Sequence, residues 1–102
     1  MRQHDVFRNP TAKRRKAMPY LVVLQHDVVS DTDSVIVAAL VPALKHPPSR
    51  LYPAFEIEGK MHTLLTPDLA SFPRASLIDR VTSLHGQWHR IDTALDILFT
   101  GV

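Results

Sequence analysis

The 102-residue chain has no cysteine, so it can form neither a disulfide nor a thiolate metal site, which suits a reducing compartment. Its three glycines are too few for a glycine-rich phosphate loop, and no serine stands in a nucleophile elbow. The longest apolar runs, Leu21–Leu24 and Val35–Val41, fall far short of the about 20 residues that cross a bilayer. The opening Met1-Arg2-Gln3-His4-Asp5 lacks the apolar stretch of a signal peptide. Net charge is nearly absent as well: 12 basic and 10 acidic side chains leave +2, too little by itself to indicate nucleic acid. These absences point to a cytoplasmic protein with no membrane partner. With 45% apolar and 22% charged residues, the chain reads as a single domain over residues 1–102. A domain of this size is marginal alone and gains from dimerisation.

What positive charge there is concentrates in Lys13-Arg14-Arg15-Lys16. The favoured reading is a solvated hairpin loop after the turn-forming Asn9-Pro10-Thr11; the functional one is a contact for phosphates or for an acidic peptide. No aromatic interleaves the four charges, so the stacking of a single-strand binder is missing.

The middle of the chain reads as β-structure. Gln3–Arg8 is a weak strand anchored by Val6 and Phe7, whereas Tyr20–Leu24 is rich in β-branched and aromatic residues. A polar turn over Ser30–Ser34 leads to the continuous apolar run Val35–Val41, the pattern of a buried strand, which Pro42 limits. Pro47-Pro48 marks an irregular connection. In Phe55-Glu56-Ile57-Glu58 apolar and acidic residues alternate, Gly59-Lys60 is expected to turn, and Met61–Thr66 returns as the second arm of a hairpin.

The periodicity then changes. Trp88, Ile91, Leu95 and Leu98 recur at helical spacing and predict a helix over Gly86–Phe99, with Asp92 and Asp96 off the stripe. Val81-Thr82 reads equally well as a short strand before it, and Gly101 stands where glycine relaxes a last turn. The apolar pattern passes directly into Thr100-Gly101-Val102, where the sequence stops. Terminal segments are usually polar and frayed. An apolar one is expected to be packed into a core or presented to a partner. Several strands and one terminal helix suggest a small curled antiparallel sheet or barrel with the helix packed on it.

Candidate chemistry is sparse. His85 and His89 stand four apart, as in some metal sites, but no third ligand accompanies them and surface histidines without a metal are expected. Asp68, His62 and Ser71 can be assembled into a triad only by choice. Nothing demands catalysis or a cofactor.

The block Leu51-Tyr52-Pro53 with the hairpin after it, the run Thr66-Pro67-Asp68-Leu69-Ala70-Ser71-Phe72-Pro73, and the end Ile97-Leu98-Phe99-Thr100-Gly101-Val102 together resemble the CcdB family. Its members are toxins of type II toxin–antitoxin modules, which act in plasmid maintenance by poisoning DNA gyrase. Order and spacing match from Tyr20 to Val102, and more loosely upstream through Asp5-Val6-Phe7. The resemblance implies a homodimer on a mainly β fold with a C-terminal helix, shared with the MazF and Kid ribonuclease toxins. It implies no enzyme and no cofactor. Such toxins wedge into the gyrase A subunit and trap it on cleaved DNA. A CcdA-like antitoxin neutralises them through a disordered C-terminal segment and represses the shared operon. Operator DNA is therefore met only through the antitoxin complex.

Carried over by residue, the apolar pair of the gyrase contact corresponds to Val28 and Val29 after Asp27; read alone, these valines also suit a half-buried strand end. Gly101 and Val102 match the last two family residues, and Asp96 takes the place of a polar residue that is usually Asn. Thr100 departs from the pattern, because the best-known members have a Trp there that stacks on a gyrase arginine. A lost Trp anchor costs about 2 kcal/mol, or roughly thirtyfold in affinity. For the antitoxin, the resemblance indicates the loop Ala43–Arg50, with Lys45, His46, Ser49 and Arg50. Its prolines stiffen it and lower the ordering cost of binding, though the same stiffness suits a plain connection. Two alternatives remain. One is a ribonuclease toxin on the same fold, using His62, Arg50 or the basic run. The other is a detoxified homologue that only binds antitoxin and regulates its operon.

Overall fold

In a computed structural model, which describes residues 1–29 and 31–102, six strands and one helix account for the main elements. Ser30, at the start of the expected Ser30–Ser34 turn, lies outside the described residues. The strands are β1 (Asp5–Arg8), β2 (Tyr20–Val23), β3 (Ser34–Pro42), β4 (Ala54–Ile57), β5 (Lys60–Pro73) and β6 (Arg80–Ser83), followed by the helix α1 (Trp88–Thr100). All pairings are antiparallel, in the order β4-β5-β3-β2-β1-β6. The sheet curls into a nearly closed barrel, and the expected mainly β fold with a C-terminal helix is the one observed.

The continuous apolar runs are explained by burial on both faces, with Ile36, near the start of β3 and 39% exposed, as the exception. Tyr20, Val22 and Leu24 of β2 and its end join Ala38 and Leu40 of β3 in one core, together with Phe55, Ile57, Leu64 and Ile91. The intervening Leu21 and Val23 join Val35, Val37 and Ala39 in a second core on the opposite face, with Phe7 and Leu77. Each Val, Leu, Ile or Phe so buried contributes about 1.5–3 kcal/mol. By contrast, β4 buries Phe55 and Ile57 but exposes Glu56, which is why it alternates.

β1 starts two residues later than expected, at Asp5, the ends of β2, β3 and α1 shift by one residue, and three further differences have a structural cause. The hairpin turns at Glu58-Gly59, not Gly59-Lys60: Ile57 pairs with Lys60, and both turn residues have positive φ, +52° and +84°. That is the two-residue turn whose twist matches a hairpin, and Gly59 adopts it freely. The strand β5 runs on to Pro73, well past Thr66. Between the pairs Leu40↔Leu64 and Ala38↔Leu69, β3 advances two residues while β5 advances five. This bulge takes Pro67, which cannot donate to a ladder, out of register and bends the strand around the barrel. The helix begins at Trp88, because His85–Gln87 form a turn of 3-10 helix first. The strand reading of Val81-Thr82 holds within β6.

The helix lies on the barrel through Ile91 and Ala94, both fully buried, with Leu95 packed against the first core. Trp88, expected on the anchoring stripe, is 49% exposed. At the start of a straight helix on a curved sheet, its side chain lies beyond the buried centre of contact.

Barrel closure is polar. Arg8 of β1 donates from Nη2 to Glu58 Oε2 at 2.8 Å, and the Tyr20 hydroxyl donates to Glu58 Oε1. Arg8 also pairs with Asp79 at 3.1 Å. The hydrogen bond from Arg8, then that from Tyr20, holds the Glu58 carboxyl below its ordinary range. Burial, then the bond to Glu58, pushes the Tyr20 phenol up. These bonds hold Glu58 in a left-handed conformation that a side chain otherwise disfavours.

Candidate functional site

The residues indicated for the gyrase contact fall on two exposed segments. Asp27–Val29 form a turn of 3-10 helix. Asp27 Oδ1 accepts from the Gln3 backbone N–H at 2.6 Å, Val28 N–H donates to His26 Nδ1 at 3.0 Å, and the Gln25 side chain donates to Val29 O at 2.6 Å. With its polar groups satisfied inward, the turn leaves Val28 80% and Val29 42% exposed. They are not a half-buried strand end.

The second segment is the end of α1. Gly101 stands at φ +79°, and its N–H donates to Asp96 O and Ile97 O, both at 3.1 Å. This left-handed cap satisfies the last carbonyls and redirects the chain, the role expected of Gly101. Thr100 Oγ1 folds back and donates to Asp96 O at 2.7 Å, so its side chain lies along the helix. Asp96, Thr100, Gly101 and Val102 are all exposed. Beside Thr100, Phe99 is 68% exposed. In the sequence, the signal for this exposure is the place of Phe99 outside the stripe Trp88–Ile91–Leu95–Leu98. Among the described residues, no hydrogen bond or ion pair joins the Val28 turn to the Thr100 end within the protomer.

His4 is buried at φ +72°, with no hydrogen-bond partner for either ring nitrogen among the described residues. Its ring centre lies 5.8 Å from that of His85. Burial lowers its pKa; Asp92 opposes that shift, His85 reinforces it, and Asp27 and Asp5 oppose it more weakly. The neutral form therefore fits the site.

In the loop indicated for the antitoxin, Lys45, Ser49 and Arg50 are exposed. His46 is half-buried: its ring centre is 4.1 Å from that of Tyr52, and its carbonyl accepts from Thr63 Oγ1 at 2.7 Å. Ser49 and Tyr52 bond reciprocally, N–H to carbonyl at 2.9 Å and N–H to hydroxyl at 3.1 Å. The loop is stiff through these bonds as well as its prolines.

The basic run lies in an exposed loop, Lys13 to Lys16 all being exposed. Ala12–Arg14 form a 3-10 turn, and Arg15 Nε donates to Asn9 O at 2.9 Å. Arg14 reaches the rim of an apolar cleft of about 460 Å³ formed with Met18, Leu21, Val37, Leu69 and Phe72. Asp68 lies on the same rim.

The remaining candidates do not assemble. His62 pairs with Pro42 and Ser71 with Ile36, at opposite ends of β3, about 20 Å apart at strand spacing. His62 is also buried, its Nδ1 2.9 Å from Lys60 O and its ring edge-on to Tyr20, so it offers no base to a large substrate. His85 lies in the 3-10 turn and His89 in α1, and no group of three metal-ligating side chains forms among the described residues. Among them, too, no helix is long and apolar enough to cross a membrane.

Known proteins bear on this arrangement in one way. No curated protein matches the chain. The family model described as "CcdB protein" matches residues 3–101, from the segment before β1 to the Gly101 cap. The chain therefore belongs to the CcdB family.

Proposed function

We propose that this protein is the toxin of a type II toxin–antitoxin module and acts, as a homodimer, by binding the A subunit of DNA gyrase. Family membership supports the toxin class. The observation that carries the gyrase reading is the pair of exposed segments. Val28 and Val29 project from a turn held by polar bonds, and the Gly101 cap leaves Val102 83% exposed beyond α1. Apolar side chains presented from rigid backbone bind with little ordering cost. Dimerisation repeats both segments about a two-fold axis, giving a bivalent tip. Asp96 lies at the same helix end, exposed and suited to pair with a basic residue of the target.

Thr100 has no ring to supply an aromatic anchor, and its hydroxyl is turned back onto the helix. We assign that contribution to Phe99, the exposed ring one position earlier. Its position is displaced about 100° around the helix, so the interface is shifted from that of a Trp at position 100. Neutralisation by a CcdA-like antitoxin through Lys45, Ser49 and Arg50 completes the proposal, with His46 holding the loop.

The test is a supercoiling and cleavage assay with the cognate gyrase. Cleaved DNA trapped at micromolar protein is expected, and its complete absence contradicts the gyrase reading.

A further inference from the structure

The cleft between the Ser49–Tyr52 turn and the first turns of α1 holds two arginines that pair with no acid among the described residues. It has a volume of about 290 Å³ and is lined by Ser49, Arg50, Pro53, His89, Arg90 and Thr93. No carboxylate is among them. Arg90 is fixed there: Nη2 donates to Ala54 O at 2.8 Å, Nη1 donates to Gln87 Oε1 at 2.8 Å, and the guanidinium carbon stands 4.5 Å from the centre of the Phe55 ring. All three partners are neutral. Among the described residues neither Arg90 nor Arg50 pairs with an acid, whereas Arg8 pairs with Glu58 and Asp79. Arg50 lines the same cleft from an exposed turn that the two Ser49–Tyr52 bonds hold.

A guanidinium held by neutral partners and a second, exposed one lining the same cleft make a site that can receive a planar oxyanion. A nucleic-acid backbone needs a track of cations along a surface. Here the basic groups converge on one cleft, and the Lys13–Lys16 run does not line it. We propose that this cleft is a carboxylate receptor for an acidic side chain of a peptide partner, with Arg90 as the fixed donor and Arg50 closing over the bound group. Identifying that partner with the antitoxin rests on the toxin–antitoxin reading; the receptor chemistry does not.

The test is an NMR titration of the intact, 15N-labelled protein, following backbone amides and arginine Nε–H signals. The probe is tri-glutamate with blocked termini, compared with blocked tri-glutamine and with inorganic phosphate. Saturable shifts of Arg90 Nε–H, Ser49 and Thr93 are expected with tri-glutamate alone. Arg50→Gln, on an exposed side chain, is expected to weaken that binding about tenfold with an unchanged melting temperature. Arg90→Lys, which keeps the charge but loses the fork, is expected to weaken it as well. Shifts confined to Lys13–Lys16, equal shifts with tri-glutamine, or equally tight phosphate binding overturn the proposal. If the cleft fails to bind while gyrase is still trapped, only the receptor is lost. If it binds while gyrase is untouched, the receptor stands and the gyrase reading falls.

Discussion

The barrel interior and the exposed tip segments draw on the same kinds of side chain for opposite ends. In β2 and β3, valine and leucine alternate between two cores, and each is shielded by strands, helix or loop. At Val28, Val29, Phe99 and Val102 similar side chains project from short segments whose polar groups are satisfied by hydrogen bonds. Apolar surface buried within the chain stabilises it; apolar surface held out on rigid backbone is available for a partner. The difference separates stability from binding, and substitutions in the two regions are expected to separate them too.

The largest expected effect is in the interior. Ile91→Ala removes a fully buried side chain where α1 meets the barrel, and a loss of about 2–5 kcal/mol is expected in denaturant unfolding. Val28→Ala, on an exposed side chain, is expected to change stability by no more than about 0.5 kcal/mol. Equal losses at both positions would break the comparison. Next in size are changes in binding. Thr100→Trp is expected to tighten gyrase binding by roughly thirtyfold and Phe99→Ala to weaken it by about tenfold, with unchanged melting curves. Calorimetric titration of the A subunit checks both.

The polar closure gives a smaller effect that depends on pH. Because the folded-state pKa of Glu58 is lowered, its contribution is present above the ordinary carboxylate range and lost as pH falls through the folded value. Glu58→Gln is therefore expected to lower the melting temperature at neutral pH and to converge with the parent protein in acid. The smallest effect concerns His4. Its folded-state pKa is lowered, so the unfolded chain binds its proton first and stability declines as pH falls below 6.5. His4→Phe is expected to flatten melting temperature between about pH 7.5 and about pH 5.5, where the carboxylates stay ionised. A slope unchanged by the substitution would remove His4 from the account.

Much of the fold was legible because its strongest signals are local. Alternation in Phe55–Glu58 marked a one-sided strand, and the unbroken Val35–Val41 run marked one that is covered on both faces from Val37 to Val41, Ile36 being exposed. The extension of β5 was hidden by Pro67, which reads as a stop unless a bulge removes it from the ladder. Trp88 misled because helical periodicity says which side chains share a stripe, not how far the sheet extends beneath it. The site was less legible. Val28, Val29 and Gly101 came from family resemblance, and only the fold puts the two valines in an exposed turn. The Arg50–Arg90 cleft joins residues 40 positions apart, so no local pattern announces it.

The central claim is that the exposed apolar segments bind gyrase while the interior holds the fold. Its most direct test is a titration of the cognate gyrase A subunit with the parent protein and with the double substitution Val28→Ser and Phe99→Ala. The account predicts saturable binding by the parent and a loss of at least about a hundredfold in the variant, with both proteins melting at the same temperature. Binding unchanged in a fully folded variant would contradict it.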